Sequence, residues 1–330
     1  MLCAALWSLA CAAESPALVE TSRSRVPVEA AQPQARATPA DDVARPVQAL
    51  ANSVDVTILS TSKAGIGEGE WGFSALVEVD GMRILFDTGA KRETVLRNAK
   101  AAGVDLGGVS SVVLSHHHDD HVGGLMRLRN SVASTAPDAL KTVHVARGMF
   151  ESRHVGGKRR EVNEMLELRQ TFEASGGVVL VHDEPSQIAP GVWVTGPVPR
   201  LHPEHNWGGG RQVRGPTGWV EDQLHESQAL VIDTEAGLLV VSGCGHAGIV
   251  NIATHARNTI REAPIHALGG FHLHRADSEH LAWTMEQLRA LGLESFYGAH
   301  CTGKAAVREA AKHLPADQVA EVAVGWTLHL

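Results

Sequence analysis

The sequence predicts an α/β layered body in which two mixed β-sheets carry helices on their outer faces. Three observations lead to this fold class. β-Branched runs in the first part of the chain come as hairpins. Strand-like runs in the last part alternate with segments of helical period. Between a strand-like and a helix-like run, the stretch from Ser115 to Gly124 (SHHHDDHVGG) places four histidines and two aspartates in six consecutive positions.

Taken in order, VDVTILS (54–60), FSALVEV (73–79) and MRILFDTG (82–89) read as strands. Asp80-Gly81 joins the last two as a two-residue hairpin turn. SVVLS (111–115), TVHVA (142–146), GVVLVH (177–182) and VWVTG (192–196) follow. SQALVIDTEAGLLVVSG (227–243) reads as a second hairpin, and IHAL (265–268) and EVAVGW (321–326) as late strands. Helical periodicity marks 92–102, 121–129, 247–260, 278–291 and 303–314. Residues 147–175, charged and rich in helix formers, read as a helical insert. Residues 200–222, rich in Gly and carrying Trp207 and Trp219, read as a loop able to act as a lid.

The first 50 residues differ from the rest: they hold five of the 14 prolines and none of the 19 histidines. Residues 1–12 are apolar, too short to span a bilayer, and end in Ala10-Cys11-Ala12, which fits a signal cleavage site. Residues 13–50 read as a disordered Ala/Pro-rich linker, and 51–330 as one large domain. The expected location is secreted or periplasmic, with Cys11 as an alternative lipid anchor. A net charge of −8, from 29 basic and 37 acidic residues, does not attract a phosphate backbone and excludes nucleic acid as the expected partner. Lys158-Arg159-Arg160 reads as a solvated helix face. Beyond the signal only Cys244 and Cys301 remain, too few for a disulfide framework; they read as small buried thiols, with a thiolate ligand open for Cys244.

The chemistry lies in the spacing His116-x-His118-x-Asp120-His121. At a strand end, residues two apart point the same way, so His116 and His118 can share one metal ion. As the chain turns into a helix, Asp120 and His121 swing toward a second position, about 3.5–4 Å away in two-metal hydrolytic sites. His117 and Asp119 are off-phase and face away. Imidazole and carboxylate suit zinc, iron or manganese without choosing among them.

Preceded by FDTG (86–89), this motif resembles the metallo-β-lactamase superfamily. RNAKAAGVDLGGVSSVVLSHHHDDHVGGL, GCGHAGIVNIATHAR, GGFHL and GAHCTG further resemble the branch of 7,8-dihydropterin-6-yl-methyl-4-(β-D-ribofuranosyl)aminobenzene 5′-phosphate synthase-like proteins. The resemblance runs from about residue 54 to the C-terminus and implies an αββα sandwich with metals at the open edge between the sheets. It implies His116, His118 and His246 on one ion, Asp120, His121 and His300 on another, and Asp87 as a carboxylate that orients a ligand histidine. One departure is Gly243-Cys244, where many superfamily members carry a bridging Gly-Asp pair. An alternative register follows, in which His225 is the third histidine and His246 or Cys244 takes the bridge; a mononuclear site with a weak second position also stays open. His272 follows a Gly-Gly pair that allows close backbone approach, and is a candidate proton donor, substrate ligand or extra metal ligand. Trp71, Trp207 and Trp219 either line a pocket or simply pack.

The implied activity is hydrolysis of a small-molecule ester or phosphoester by metal-activated water. Asp120 would hold the water and His272 would protonate the leaving group, with one or two Zn²⁺ ions (or Fe or Mn). A pterin-pathway synthase-like reaction, or iron-dependent redox chemistry on the same scaffold, is the alternative.

Overall fold

A computed structural model describes residues 49–155, 160–204 and 210–330. The expected signal, nearly all of the expected linker, Lys158, Arg159 and Trp207 lie outside the described residues, while Arg160 is exposed. Two seven-stranded sheets build the body. The first runs in the order β17 (Thr327–His329), β1 (Val54–Ser60), β2 (Ser74–Val79), β3 (Met82–Phe86), β4 (Ser111–Val113), β5 (Thr142–Ala146) and β7 (Val178–His182). The second runs β16 (Val319–Glu321), β15 (Leu293–Gly298), β14 (Ile265–Gly269), β13 (Gly237–Ser242), β12 (Ala229–Thr234), β9 (Val192–Val194) and β8 (Ser186–Ala189). Each sheet is antiparallel on one side and parallel on the other, the change falling at β3 and at β13.

The parallel halves need crossovers, and helices supply them. α1 (Thr94–Ala101) joins β3 to β4. α2 (Asp119–Val122) and α3 (Leu125–Val132) lie between β4 and β5, and α4 (Met165–Ala174) precedes β7. α5 (Ile249–Thr259), α6 (Ser278–Ala290) and α7 (Lys304–Ala310) alternate with β13 to β16. Side-chain alternation sorts the core into layers. Ile84 and Phe86 of β3 meet Ile232 of β12 and Leu239 and Val241 of β13 between the sheets. Their neighbours Leu85 and Val240 face outward, Leu85 onto α1 and α3 through Val95 and Leu128, Val240 onto α5 and α6 through Ile252 and Met285. The body is therefore the expected αββα sandwich. No helix among the described residues is long and apolar enough to cross a membrane.

Three readings differ from the structure. The expected strand over 321–326 is split: β16 ends at Glu321 and β17 begins at Thr327. Val322 and Val324 are buried between them as the chain passes from one sheet to the other. The segment 147–175, expected to be helical, holds α4 but also β6 (Arg153–Val155). The 200–222 region is not loop throughout: β10 (Arg211–Gly215) and β11 (Gly218–Glu221) form a hairpin that pairs with β6 in a small third sheet. The turn Gly215-Pro216-Thr217-Gly218 carries the signal for that hairpin, but its strands are too polar to register as strands by hydrophobic pattern.

The C-terminal ends of β3 and β4 in one sheet and of β13, β14 and β15 in the other lead into the segments that carry Asp87, the six expected ligands and His272. The inter-sheet core fixes how those ends meet. Phe86, fully buried against Phe73 (ring centroids 6.2 Å apart), sits one residue before Asp87. We predict that Phe86→Ala lowers stability by about 3–5 kcal/mol, read as a lower urea midpoint; a loss under ~1 kcal/mol would mean that the sheets do not pack through this residue.

Candidate metal centre

His116 to His118 follow β4 with a bend at His117, and α2 begins at Asp119 with His118 as its N-cap residue in extended conformation (φ −66°, ψ 144°). The rings of His116 and His118 therefore fall on one side, 4.5 Å apart between centroids. His246, in the turn between β13 and α5, closes on them at 4.7 and 5.1 Å. One candidate ligand atom from each of the three lies within 4.8 Å of the others. The turn into α2 carries Asp120 and His121 to a second group with Cys244 and His300, under the same limit. The six residues expected as ligands are thus brought together in the two expected triads, with Cys244 added to the second. His225 does not join: it is exposed, and its neighbour Glu226 is the residue turned inward.

Asp87 organises both groups. Its Oδ1 accepts from the Ser115 backbone N–H (2.7 Å), and its Oδ2 accepts from Ser115 Oγ–H (2.7 Å) and from His121 Nδ1–H (2.7 Å). Because the Ser115 proton goes to the carboxylate, Ser115 Oγ accepts from His116 Nδ1–H (2.9 Å). This leaves His116 Nε2 as the lone-pair nitrogen, buried and without a hydrogen-bond partner. A buried acceptor in that condition is costly unless a cation takes it, so the site fits a metal. Gly243 makes the arrangement possible: a Cβ there would lie 2.2 Å from Ser115 Oγ and 2.3 Å from Asp87 Oδ2. Among the described residues, three of the six non-glycine residues at positive φ are Asp87 (+55°), His272 (+50°) and His300 (+45°), so backbone strain is concentrated at the site.

The electrostatics divide the two groups. Burial first, then neighbouring imidazoles, push His116 and His118 well below the ordinary histidine value, so both are neutral donors at neutral pH. Burial also opposes charge at the second position, yet there the ion pairs prevail. Asp120 is held far below the usual carboxylate range by His121 and His300, and Asp120 with Asp87 raises His121 to about 10. Asp120 Oδ2 lies 3.2 Å from His300 Nε2 and 3.6 Å from His121 Nε2. Burial pushes the Cys244 thiol up, and its contact with Cys301 adds to the shift.

His117 and Asp119 behave differently from each other. Asp119 is exposed. His117 points away from the ligand groups into a buried network that the sequence reading missed. Its Nδ1–H donates to Glu226 (2.5 Å), and its Nε2 accepts from Arg211 (3.1 Å). Glu226 is held by the fully buried Arg153 (2.7 Å), which also pairs with Asp222 (2.8 Å). These residues are 36 or more positions from His117, with no motif to link them and no local pattern that sets them apart from the charged residues around them. His272 lies beside His246, with ring centroids 4.6 Å apart. Trp71, 53% exposed, stands at the rim near His300 (4.8 Å) and His274 (5.5 Å). Trp219 instead stacks on His154 in the small sheet. A cavity of about 800 Å³ lined by Glu161, Asn163, Leu166 and neighbours shares no residue with the ligand groups.

The model of the family described as the metallo-beta-lactamase superfamily matches residues 72–245. The chain is 28% identical over 263 residues to the 7,8-dihydropterin-6-methyl-4-(beta-D-ribofuranosyl)-aminobenzene-5'-phosphate synthase of Methanocaldococcus jannaschii, covering 76% of this chain and 88% of that protein. It is 26% identical over 235 residues to an uncharacterized protein of the same archaeon, covering 70% of this chain and 84% of that one. A solved structure described as a metal-dependent hydrolase of the beta-lactamase superfamily superposes with a TM-score of 0.67 at 26% identity, over 83% of this chain and 98% of that chain.

Two predictions follow from the second ligand group. Metal-free protein carries a proton on His121 below pH about 10, and a cation at Nε2 must displace it. Affinity should therefore fall as pH falls, by up to about tenfold per unit for this proton. Zinc titration in weak buffer near pH 7 should acidify the solution; pH-independent affinity would contradict the assignment. Asp87→Ala, which removes the acceptor orienting His121, should weaken metal binding about 10–100-fold, read by chelator competition; unchanged affinity would show that the carboxylate does not act through His121.

Proposed function

This chain belongs to the metallo-beta-lactamase superfamily, and on that premise we propose that it is a metal-dependent hydrolase of a small-molecule ester or phosphoester. One observation carries the reading. Two ligand triads adjoin, their imidazoles are buried, and Asp120 keeps 15% of its side chain exposed at the junction. Substrate and solvent can reach the centre at this carboxylate. The superposition with a protein described as a metal-dependent hydrolase supports the same class.

The donor set of imidazole, carboxylate and thiol suits zinc, with iron or manganese as alternatives. His116, His118 and His246 would hold one ion, and Asp120, His121 and His300 a second. When bound, such an ion supplies Lewis acidity, which lowers the pKa of water toward neutrality and polarises the oxygen that gains charge. The chain's residues do the rest. Asp120, kept ionised by His121 and His300, accepts a hydrogen bond from the attacking water and orients it. His272, whose Nδ1 is buried without a hydrogen-bond partner, is placed to protonate a leaving group beside His246. The His117–Glu226–Arg153 network holds the opposite face of the ligand loop, so His116 and His118 do not swing.

A second reading is favoured by the identity to the archaeal synthase: a bond-forming reaction on a phosphate-bearing substrate at the same centre. The two separate by location as well as chemistry. If residues 1–12 direct secretion, as we propose, a cytosolic pterin intermediate does not reach the enzyme.

The test is a panel of chromogenic phosphoesters and lactones with zinc-loaded protein. Asp120→Ala should lower turnover about 10²–10⁴-fold with an unchanged circular dichroism spectrum. Full activity in that variant would remove Asp120 from the mechanism. Iron as the sole metal of protein purified without added metal, with no hydrolysis of any ester, would favour the alternative reaction.

A further inference from the structure

β13, β14 and β15 are adjacent parallel strands, so their C-terminal ends open at one edge, side by side. Each is followed within three residues by a group able to bind a soft cation: Cys244 after β13, His272 after β14, Cys301 after β15. Their ligand atoms lie within 4.8 Å of one another. Cys244 Sγ and Cys301 Sγ are 3.4 Å apart, and both cysteines are free and buried. Two thiolates sharing one zinc at the usual bond length of about 2.3 Å stand roughly 3.5–4 Å apart, so a shift of a few tenths of an ångström suffices.

We infer that Cys244, His272 and Cys301 form a further cation site, sharing Cys244 with the Asp120–His121–His300 group and selective for a thiophilic ion such as zinc(II) or copper(I). Two independent features favour a ligand over a simple pair of packed thiols. His272 Nδ1 is buried without a hydrogen-bond partner, although His272 itself is held at φ +50°. The His272 backbone N–H donates to Cys301 Sγ (3.3 Å), the contact that stabilises a thiolate. Gly270 keeps the sulfur reachable, since a Cβ there would meet Gly243 O at 2.0 Å and Cys301 Sγ at 3.0 Å. On binding, each thiol that becomes a ligand releases its proton to solvent, and the ion ties three neighbouring strand ends together. Occupancy would also engage the imidazole that the hydrolytic reading uses as an acid. That consequence rests on the hydrolytic reading; the site itself does not.

The probe is cobalt(II) added to the metal-free full-length protein, which needs no substrate and so stands apart from the test of hydrolysis. Wild type should show a near-ultraviolet sulfur-to-cobalt charge-transfer band. Cys301→Ser should lose at least half of its intensity and one equivalent of bound cobalt, while retaining the ions at the histidine groups, which report that the fold is intact. If Cys301→Ser does not fold, His272→Ala, at a half-buried position, should weaken the last cobalt equivalent at least tenfold in chelator competition. Absence of the band in wild type overturns the inference. So does a band at full intensity in Cys301→Ser, since Cys244 would then bind only with Asp120, or unchanged cobalt affinity in His272→Ala.

Discussion

The Asp87 carboxylate is the contact on which the rest of the centre depends. It leaves β3 at positive φ, takes three hydrogen bonds from Ser115 and His121, and lies against Gly243 from the other sheet. One buried group thereby fixes the start of the ligand loop, the tautomer of His116 through Ser115, the orientation of His121, and the distance between the two sheets at their open edge. The chain order of these effects is short. The β3 strand places Phe86 in the inter-sheet core, Asp87 follows it, and the imidazoles follow from Asp87.

A cluster of buried imidazoles is an unfavourable thing to fold around. His116 and His118 resist protonation because burial and neighbouring rings both disfavour charge. The fold tolerates the cluster because the apolar layers on both sides of each sheet are extensive and because the ligand loop is held from two directions. Asp87 grips one face. On the other, His117 donates to Glu226, and Arg153 holds Glu226 while donating to the Gly148 and Glu151 carbonyls and to Asp222. Loss of Arg153 alone would strand a buried carboxylate, which is why such networks are strongly destabilised by removing one partner. The off-phase histidine is therefore an anchor, and its phase is what leaves its neighbours free to face the ions.

Much of this was legible in the sequence because it is local. The His116 to His121 spacing needs only the period of a strand and the start of a helix, and the layered fold needs only hairpins early and helices between strands late. His246 could be placed because it follows a strand and precedes a helix, and His300 through the family resemblance carried by GAHCTG. What escaped was non-local or polar. β10 and β11 form on hydrogen bonds to β6, not on a hydrophobic alternation, and so read as loop. β15, LESFYG, buries Leu293, Ser295, Phe296, Tyr297 and Gly298 and breaks the two-residue period that would have marked it. The Asp222–Arg153–Glu226–His117 network joins residues with no common motif. The alternative register that Gly243-Cys244 opens points to His225, whereas the structural work there belongs to Glu226.

Cys244 gives the centre its particular character. A carboxylate at that place offers two oxygens and can span two ions; a thiol offers one larger, softer atom and, when buried, holds its proton more firmly. Its sulfur lies 3.1 Å from His121 Nε2 and 3.4 Å from Cys301 Sγ, between the carboxylate-bearing group and the second thiol. The two histidine-rich positions therefore need not be equivalent. The first sets the neutral imidazoles of His116 and His118 beside His246, with His116 preorganised by the hydrogen bond from its Nδ1–H to Ser115. The second must expel a proton from His121 before it can accept a cation, and its sulfur is shared with a neighbour. Were both positions to take cations, this asymmetry would favour filling the first before the second.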